Sequence, residues 1–312
     1  MSPKSYAFFK GEFVPMEDAK VSIATHALHY GTGSFEGIRG NWNSGKETLY
    51  IFRLKEHLER LLQGCKLLML DIPYSLDDLC EITTELVHRC GYTEDIYIRP
   101  LAYKSAERVA NLKLHELESD FCLMTMPFGS YLEADALRCC TSTWRRPDDQ
   151  SIPPRFKLTG IYINNILAKT EAVLAGFDEA IVLNQNGNVS EGSGENIFVV
   201  FGGKLYTPPL GDNILPGITR NTIMHLAKEE MGLTVMEEHI SRTEIYTSDE
   251  CFLTGTAAHV TPVVELDHRK IADGKIGPIS KAVRDLYFAI AAGNNPKYIH
   301  WCTPVTPELV NA

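Results

Sequence analysis

The sequence predicts an α+β protein with two domains, on the basis of three observations. Strand-like runs that flank turns are mixed irregularly with amphipathic helical patterns, whereas a doubly wound sheet would alternate strand and helix in regular order. The length of 312 residues favours two ordinary domains over one. Pro, Gly and Ser interrupt two strand-like runs at 127–133, the best candidate linker. We therefore predict a smaller domain at 1–127, a linker at 128–136 and a larger domain at 137–312.

The first predicted domain combines a hairpin, a strand pair, two helices and two more strands. A helix from residue 54 carries leucines at three- and four-residue spacing on one face, and Arg60 lies outside that apolar stripe. Ser75 and Asp78 have the spacing of a capping box, so the next helix should begin there and end at Gly91. The predicted strands are 6–9, 12–15, 34–39, 48–52, 96–103 and 121–126.

The second predicted domain contains hairpins and three helices. Gly176 should end the first helix, because glycine readily adopts the left-handed conformation that follows many helices. Pro216 and Gly217 precede the second helix. The predicted helices are 161–175, 218–231 and 279–292, and the predicted strands are 137–143, 156–159, a pair of hairpins within 180–206, 250–254 and 260–265.

Composition excludes several classes of protein. The 30 Lys and Arg residues against 40 Asp and Glu give a net charge of -10, which argues against nucleic acid or an anionic membrane surface as a partner. There is no apolar signal segment and no run that could span a bilayer, so we expect a cytoplasmic protein. The 8 cysteines form no C-x-x-C pair and no His/Cys group has ligand spacing, so we expect reduced thiols and no metal site.

Two neighbouring motifs suggest a ligand that has both a basic ring and a phosphate. Glu191 lies in a Gly-rich turn, Ser-Glu-Gly-Ser-Gly-Glu-Asn, and could keep a proton on a ring nitrogen. Ile218 and Thr219 open a helix after Leu215-Pro-Gly, where unpaired N–H groups bind phosphate. Each motif alone is equally typical of an ordinary turn acid or helix start. The spacing does not match a dinucleotide fingerprint.

Pyridoxal 5′-phosphate has these features, and it requires a lysine for its aldehyde. Lys157, between a Pro-Pro pair and Gly160, is the candidate, although most lysines are simply exposed. Tyr97 and Arg99 share one face of a strand and together would suit a carboxylate; a strand with one wet face is an equally ordinary explanation. The turn at 254–258, Thr-Gly-Thr-Ala-Ala, could offer N–H groups to an anion.

Taken together and in order, these motifs resemble the class IV aminotransferases of fold type IV, and most closely the branched-chain amino acid aminotransferases. The resemblance extends from about residue 6 to the last helix. It implies a two-domain fold like that of D-amino acid aminotransferase, with the active site between the domains, and a homodimer or a trimer of dimers. The motifs that carry it are His26–Arg39, Tyr97–Pro100, Lys157, Ser190–Asn196, Leu215–Arg220 and Gly255–Ala258.

The resemblance also implies a role for each matching residue. Lys157 would bond to the aldehyde, and Glu191 would pair with the pyridine nitrogen. The other implied cofactor contacts are Arg60, Ile218, Thr219 and Thr256 at the phosphate, Leu215 against the ring and Tyr162 at the ring hydroxyl. The implied substrate contacts are Tyr97, Thr256 and Ala257 at the α-carboxylate, Arg99 at the distal carboxylate of glutamate, and a wall for branched side chains made by Tyr30, Phe35, Gly37, Phe128 and Tyr131, part of it from a partner subunit.

The implied reaction is amino transfer between Leu, Ile or Val and 2-oxoglutarate, which yields branched 2-oxo acids and L-glutamate. Phe128 stands where relatives often have Trp, Ser34 where an apolar residue is usual, and His259 where Glu often follows the turn, so the substrate range stays open. The alternatives with the same fold are transaminases of D-amino acids or (R)-amines and aminodeoxychorismate lyase. A protein that only carries pyridoxal phosphate is an alternative of another class.

Overall fold

The computed structural model describes residues 5–129 and 135–307. The chain divides into two units, one with residues 5–129, 156–160 and 289–307, the other with 135–155 and 161–288. Part of the predicted linker, including Tyr131, lies outside the described residues. Two segments that the sequence places in the second domain, 156–160 and the part after 288, belong to the first unit because they form hydrogen bonds with its strands.

Strands form a large part of both units. The described residues contain β1 (Tyr6–Phe9), β2 (Glu12–Pro15), β3 (Gly33–Phe35), β4 (Ile38–Asn43), β5 (Thr48–Phe52), β6 (Ile96–Lys104), β7 (Ser119–Pro127), β8 (Leu137–Arg145), β9 (Glu179–Leu183), β10 (Val189–Gly192), β11 (Asn196–Phe201), β12 (Lys204–Thr207), β13 (Val235–Glu237), β14 (Glu250–Gly255), β15 (His259–Leu266), β16 (Arg269–Lys270) and β17 (Cys302–Val305).

The α-helices of the described residues are α1 (His26–Tyr30), α2 (Leu54–Leu67), α3 (Leu76–Cys90), α4 (Tyr162–Leu174), α5 (Ile218–Glu229), α6 (Arg242–Ile245) and α7 (Pro278–Ala291). The predicted capping box is present, since Asp78 N–H donates to the Ser75 hydroxyl at 3.2 Å and Ser75 N–H donates to the Asp78 carboxylate at 2.8 Å. Gly91 ends α3 with a φ of 66°. No helix in 5–129 or 135–307 has the length and hydropathy of a membrane span.

The first unit is built on a sheet with the strand order β17-β5-β4-β6-β7-β1-β2, and β3 also pairs with β6. Leucines from the apolar faces of α2 and α3 pack with β6 in one core. Arg39 on β4 pairs in register with Tyr97 on β6, so both side chains lie on the same face of the sheet. The core residues from these elements are Leu58, Leu61, Leu79, Leu86, Ile96 and Ile98.

The predicted strand at 34–39 is interrupted and forms β3 and β4. Both parts pair with β6 in one register, Phe35 with Leu101 and Ile38 with Ile98. Glu36 N–H donates to the Pro100 carbonyl at 3.0 Å, but Pro100 has no N–H to donate in return. The ladder therefore breaks opposite Pro100, and Glu36 and Gly37 lie between the two short strands.

The second unit contains a mixed sheet with the strand order β10-β9-β8-β15-β14-β11-β12-β13, and β16 pairs with β15. β8 runs parallel to β9 and β15, whereas most other neighbours are antiparallel. Ala168 and Ala172 of α4 pack against Val182 of β9. The predicted α+β class is confirmed. The register that pairs Asn196 with Thr254 sets the beginning of β11 beside the end of β14.

Candidate active site

Glu191 is a buried carboxylate on β10 with donors to both oxygens. Its relative exposure is 4%. Arg146 Nη2 lies 2.6 Å from Oε1. The Asn196 side-chain amide and the Leu215 N–H each donate to Oε2 at 3.0 Å. A buried carboxylate is costly without such donors. The Gly-rich turn and the segment before α5 therefore hold one acid between them.

Arg146 is a residue of this network that the sequence analysis missed. It follows the last residue of β8, and its N–H donates to the Leu183 carbonyl at 2.9 Å. Its Nη1 donates to Asn165 Oδ1 of α4 at 2.8 Å, and the amide of Asn165 in turn donates to the Ser193 carbonyl. Arg145 and Arg146 are adjacent in sequence, and nothing local distinguishes the buried arginine from the exposed one.

The beginning of α5 lies against the Gly-rich turn. Gly217 is the residue before the helix, and a Cβ at this position would overlap the side-chain oxygen of Asn196. Asn196 also donates to the Leu215 carbonyl at 2.9 Å. Ile218 and Thr219 form the first turn of the helix, and Thr219 is buried. Since helix starts leave N–H groups outside the helical ladder, this turn can hold a phosphate.

The third predicted anion-binding segment, the turn between β14 and β15, lies beside the same Gly-rich turn. Gly255 pairs with His259, so Thr256 and Ala257 stand in the intervening loop. A Cβ on Gly255 would lie 3.4 Å from Cγ of Glu195. His259 has a φ of 56°, and its ring packs 4.8 Å from that of Phe288. The second unit therefore brings Glu191, Leu215, the start of α5 and the Thr256 loop close together.

Glu195 is a second buried carboxyl group in this turn, and the sequence analysis gave it no role. Burial raises its pKa to about 8, and the charge of Glu179 acts in the same direction. The Gly194 N–H donates to Glu195 at 3.0 Å, which opposes the rise in pKa. Glu179 is itself paired with Lys169 at 2.6 Å. Below pH 8 the turn thus carries one neutral carboxyl group at Glu195.

Lys157 lies in the first unit, at a tight turn beside β3 in which the Leu158 N–H donates to the Phe156 carbonyl at 3.1 Å. The Phe35 N–H donates to the Lys157 carbonyl at 3.0 Å, and the Lys157 ammonium lies 5.2 Å from the centroid of the Phe35 ring. The predicted strand at 156–159 is reduced to a single bridge, between Leu158 and Ser34. Gly31 and Gly160 approach closely beside this segment: the Gly160 N–H donates to the Gly31 carbonyl at 3.1 Å, and a Cβ on Gly31 would lie 2.7 Å from the Gly160 Cα. Lys157 is half-buried.

Arg60 is buried, although it lies outside the leucine stripe of α2. Its Nε and Nη2 donate to the two oxygens of Glu36 at 2.6 and 2.8 Å, and His57 Nδ1 lies 2.8 Å from Glu36. Burial alone would raise the pKa of Glu36, but the charge and hydrogen bonds of Arg60, helped by His57, hold that pKa well below its ordinary value. Glu36 therefore fixes the orientation of Arg60. Neither Glu36 nor His57 was predicted from the sequence as a site residue.

The histidine of this cluster is held in its neutral form. Burial lowers the pKa of His57; the hydrogen bond to Glu36 opposes that change, and the charges of Arg60 and Lys157 add to it. A neutral imidazole can still donate one hydrogen bond to Glu36. Glu36 and Arg60 thus form a buried ion pair beside a histidine whose pKa is lowered.

Tyr97 and Arg99 lie side by side on β6, with Gly37 beneath the phenol. Arg99 Nη2 donates to the Tyr97 hydroxyl at 3.0 Å, and the Arg99 guanidinium stacks 4.7 Å from the Phe35 centroid. A Cβ on Gly37 would overlap the Tyr97 hydroxyl. Arg99 Nε is buried and has no hydrogen-bond partner among the described residues. This cluster can bind an anionic group next to apolar rings.

The other predicted pocket residues lie in different surroundings. The Phe128 ring is 5.0 Å from the ring of Tyr97. Tyr30, at the end of α1, is 38% exposed, and its hydroxyl accepts a hydrogen bond from the Ala110 N–H at 3.0 Å. Tyr162 is the first residue of α4 and is half-buried. Tyr131 lies outside the described residues.

Each unit contains groups that suit a part of pyridoxal 5′-phosphate. A buried carboxylate suits a protonated pyridine nitrogen, a helix start suits a phosphate, and a half-buried lysine suits an aldehyde. Within the described residues, no group of three or more His, Cys, Asp or Glu side chains could hold a metal ion. The side chains and turns described above supply an amine at Lys157, a buried carboxylate at Glu191 and N–H groups that can bind an anion.

Comparison with known proteins gives consistent matches. A family model described as "Amino-transferase class IV" matches residues 33–266. A relative from Aquifex aeolicus, named probable branched-chain-amino-acid aminotransferase, is 49% identical over 301 residues, 96% of each chain. A branched-chain aminotransferase structure from Thermoproteus uzoniensis with norvaline has a TM-score of 0.92 and 44% identity, and it covers 96% of this chain and 99% of that one.

A second structure shows a similar degree of likeness. It is the branched-chain amino acid aminotransferase from Thermobaculum terrenum in its holo form with pyridoxal phosphate. The TM-score is 0.90 at 38% identity, and the match covers 97% of this chain and 99% of that chain. Both structures and the Aquifex relative thus match this chain over nearly its whole length.

Proposed function

Because this chain belongs to the class IV aminotransferase family, we propose that it transfers amino groups between branched-chain L-amino acids and 2-oxoglutarate. The amino acids are Leu, Ile and Val, and the products are branched 2-oxo acids and L-glutamate. The observation that carries the proposal is the match, over 96% of the chain, to a relative named for this reaction. The substrates are small molecules, and the enzyme depends on pyridoxal 5′-phosphate.

The protein's contribution to catalysis begins with proton placement. Bound pyridoxal phosphate supplies the electron sink that stabilises negative charge at the substrate Cα. Glu191 would keep a proton on the pyridine nitrogen, since Arg146, Asn196 and Leu215 hold its carboxylate in place. Lys157 would hold the aldehyde, and its Nζ, when free as an amine, would accept the proton that leaves the substrate Cα.

The remaining cofactor contacts are proposed from the matched motifs. Arg60, oriented by Glu36, would bind the phosphate with Ile218, Thr219 and Thr256. Leu215 would pack on the ring and Tyr162 would donate to the ring hydroxyl. The close contacts among Asn196, Gly217 and Leu215 support this arrangement, because they set the start of α5 beside Glu191.

One pocket must accept both an aliphatic and a carboxylate side chain. We assign the α-carboxylate to Tyr97 and the Thr256–Ala257 backbone, and the distal carboxylate of glutamate to Arg99. The rings stacked around Arg99 support this assignment, because they keep its surroundings apolar while its Nε finds no acceptor within the described ranges. The aliphatic wall is assigned to Tyr30, Phe35, Gly37, Phe128 and Tyr131.

We also propose that the enzyme is a cytoplasmic homo-oligomer, either a dimer or a trimer of dimers. Exposed apolar side chains support an interface: Ile23 is 84% and Leu28 is 64% exposed in the first unit, and Ile163 and Ile166 of α4 are exposed in the second. Tyr30, beside Leu28, would then contribute to the partner's pocket.

The loss of colour on amino transfer tests the reaction directly. Holoenzyme should be yellow and should bleach when leucine is added, because the cofactor accepts the amino group. Lys157→Ala should abolish turnover and the leucine response. Lys204→Ala, which removes an exposed lysine from β12, should retain both. Normal turnover by Lys157→Ala would refute the assignment of the lysine, and bleaching only by D-amino acids or aromatic amines would refute the substrate.

A further inference from the structure

A series of alternating cations and aromatic rings leads away from Lys157 in the first unit. The Lys157 ammonium lies 5.2 Å from the Phe35 centroid. The guanidinium of Arg99 lies 4.7 Å from the same ring and 5.1 Å from the ring of Tyr97. A cation above the face of an aromatic ring is attracted electrostatically to that face. These side chains therefore constrain one another's orientation.

The series continues through Phe128 to a second arginine. The Phe128 ring lies 5.0 Å from that of Tyr97, and the Arg39 guanidinium lies 5.2 Å from the Phe128 centroid. Arg39 pairs in register with Tyr97 across β4 and β6. A phenyl ring has no polar group that could fix its orientation by a hydrogen bond. The Phe128 N–H donates to the Asp95 carbonyl at 2.9 Å, whereas the orientation of the ring depends on packing and on the arginine beside it.

Arg39 is bound to the backbone that carries Phe128. It is only 4% exposed, and its Nη2 donates to the carbonyls of Phe128 and Gly129 at 3.0 and 2.8 Å. The Asp95 carboxylate is more distant, at 3.4 Å from the same nitrogen. One side chain thus fixes both the main chain after β7 and the ring face of Phe128.

The remaining nitrogens of Arg39 make this arginine costly to bury. Its Nε and Nη1 are buried and have no hydrogen-bond partner in the part of the chain that the structure describes. Unpaired buried donors are unfavourable, and an apolar side chain of similar length would fill the same space without that cost. Such a residue is better explained by the geometry that it imposes on its neighbours than by a contribution to folding.

We propose that Arg39 is a positioning residue that holds the Phe128 ring beside Tyr97 and Arg99, and that it thereby sets how well the pocket distinguishes a distal carboxylate from an aliphatic side chain. This inference depends on the proposed function. Arg99 is held by the Tyr97 hydroxyl, and a paired guanidinium needs correct direction as well as proximity. Aliphatic side chains require only an apolar wall. Loss of Arg39 should therefore weaken glutamate recognition more than leucine recognition.

Two variants of Arg39 separate its charge from its planar shape. Arg39→Met removes the charge and the donors but keeps a long side chain, and Arg39→Lys keeps a cation that can donate to a carbonyl. The matched control is Arg89→Met, because Arg89 of α3 stacks 4.3 Å from the Phe13 ring in the same unit and is exposed. The readouts are kcat and KM for leucine and glutamate, and the calorimetric Kd of holoenzyme for 4-methylvalerate and glutarate.

In Arg39→Met we expect the KM for glutamate and the Kd for glutarate to rise about tenfold, the effect of one weakened charge-assisted hydrogen bond. The leucine and 4-methylvalerate values should change less than about twofold. Arg39→Lys should recover part of the loss, and Arg89→Met should match the wild type. Equal changes for both substrate classes, or none, would overturn the proposal.

Two further outcomes are distinguishable. If Arg39→Met does not fold, Phe128→Leu is the second test, because it removes the ring and leaves Arg39. This variant must show the same selective loss of glutarate binding, or the proposal fails. If wild-type holoenzyme does not bleach with leucine, the proposed function fails, whatever the Arg39 variants show.

Discussion

Arg146 and Glu191 form an ion pair of 2.6 Å in which both side chains are almost completely buried. The other oxygen of Glu191 is held by Asn196 and Leu215. Only Arg146 supplies a full opposite charge among these donors. The acid that we assign to the pyridine nitrogen therefore forms a buried ion pair with Arg146.

Replacement of Arg146 should destabilise the protein strongly. Arg146→Met removes the cation of this buried ion pair, and removal of one partner from a buried pair costs about 3–5 kcal/mol. We expect the free energy of unfolding, measured by urea denaturation of the holoenzyme, to fall by about 3 kcal/mol. Arg145→Met is the control: Arg145 is the exposed neighbour, and its loss should change the free energy of unfolding by less than about 0.5 kcal/mol. Equal losses in both variants would contradict the prediction.

Glu195 should make the protein less stable as the pH rises. Its pKa in the fold is about 8, against 4.5 for the ordinary carboxyl group, so between these values the folded state keeps a proton that the unfolded state has lost. Stability must then fall as pH rises from 4.5 to about 8 and level off above that.

Glu195→Gln keeps the shape of the neutral acid and removes its titration. Urea denaturation at several pH values should show a flatter pH dependence than in the wild type, and higher stability at the pH of about 8 where the wild-type acid ionises. Glu229→Gln, an exposed change on α5, should retain the wild-type slope. A parallel pH profile in Glu195→Gln would show that another group is responsible.

A methyl group on Gly37 should impair catalysis without unfolding the protein. The added Cβ in Gly37→Ala would overlap the Tyr97 hydroxyl, which must then move away from Arg99. A displacement of about 1 Å in a binding group can reduce the rate about 10²-fold, so kcat/KM for leucine should fall by that order. Steady-state kinetics give the measurement. Gly45→Ala, where the Cβ would meet only Asn43 Oδ1 at 3.5 Å, should be neutral.

Local patterns were sufficient to predict most of the elements. The capping box at Ser75 and the glycine at 91 fixed α3 to the residue, because capping is a local interaction. The helices α4, α5 and α7 lie within two residues of their predicted limits. The short strands β13, β16 and β17 were missed, because two to four residues carry too little periodicity.

The supporting residues of the site could not be predicted, because their partners are distant in sequence. Glu36 looks like any acid in a strand until α2 brings Arg60 and His57 against it. Arg145 and Arg146 are both arginines, and only the position at which β8 ends determines which of them faces Glu191. Motifs predicted which residues would touch a cofactor. The fold was needed to find the residues that hold them.

The position of β17 has a consequence for how the polypeptide folds as it is synthesised. β17 pairs with β5 at the edge of the first sheet, although the two strands lie near opposite ends of the chain. The ribosome therefore begins the first unit before the second and completes it afterwards. A nascent chain that stops short of residue 302 leaves the backbone of β5 exposed as a sheet edge, which other chains can pair with.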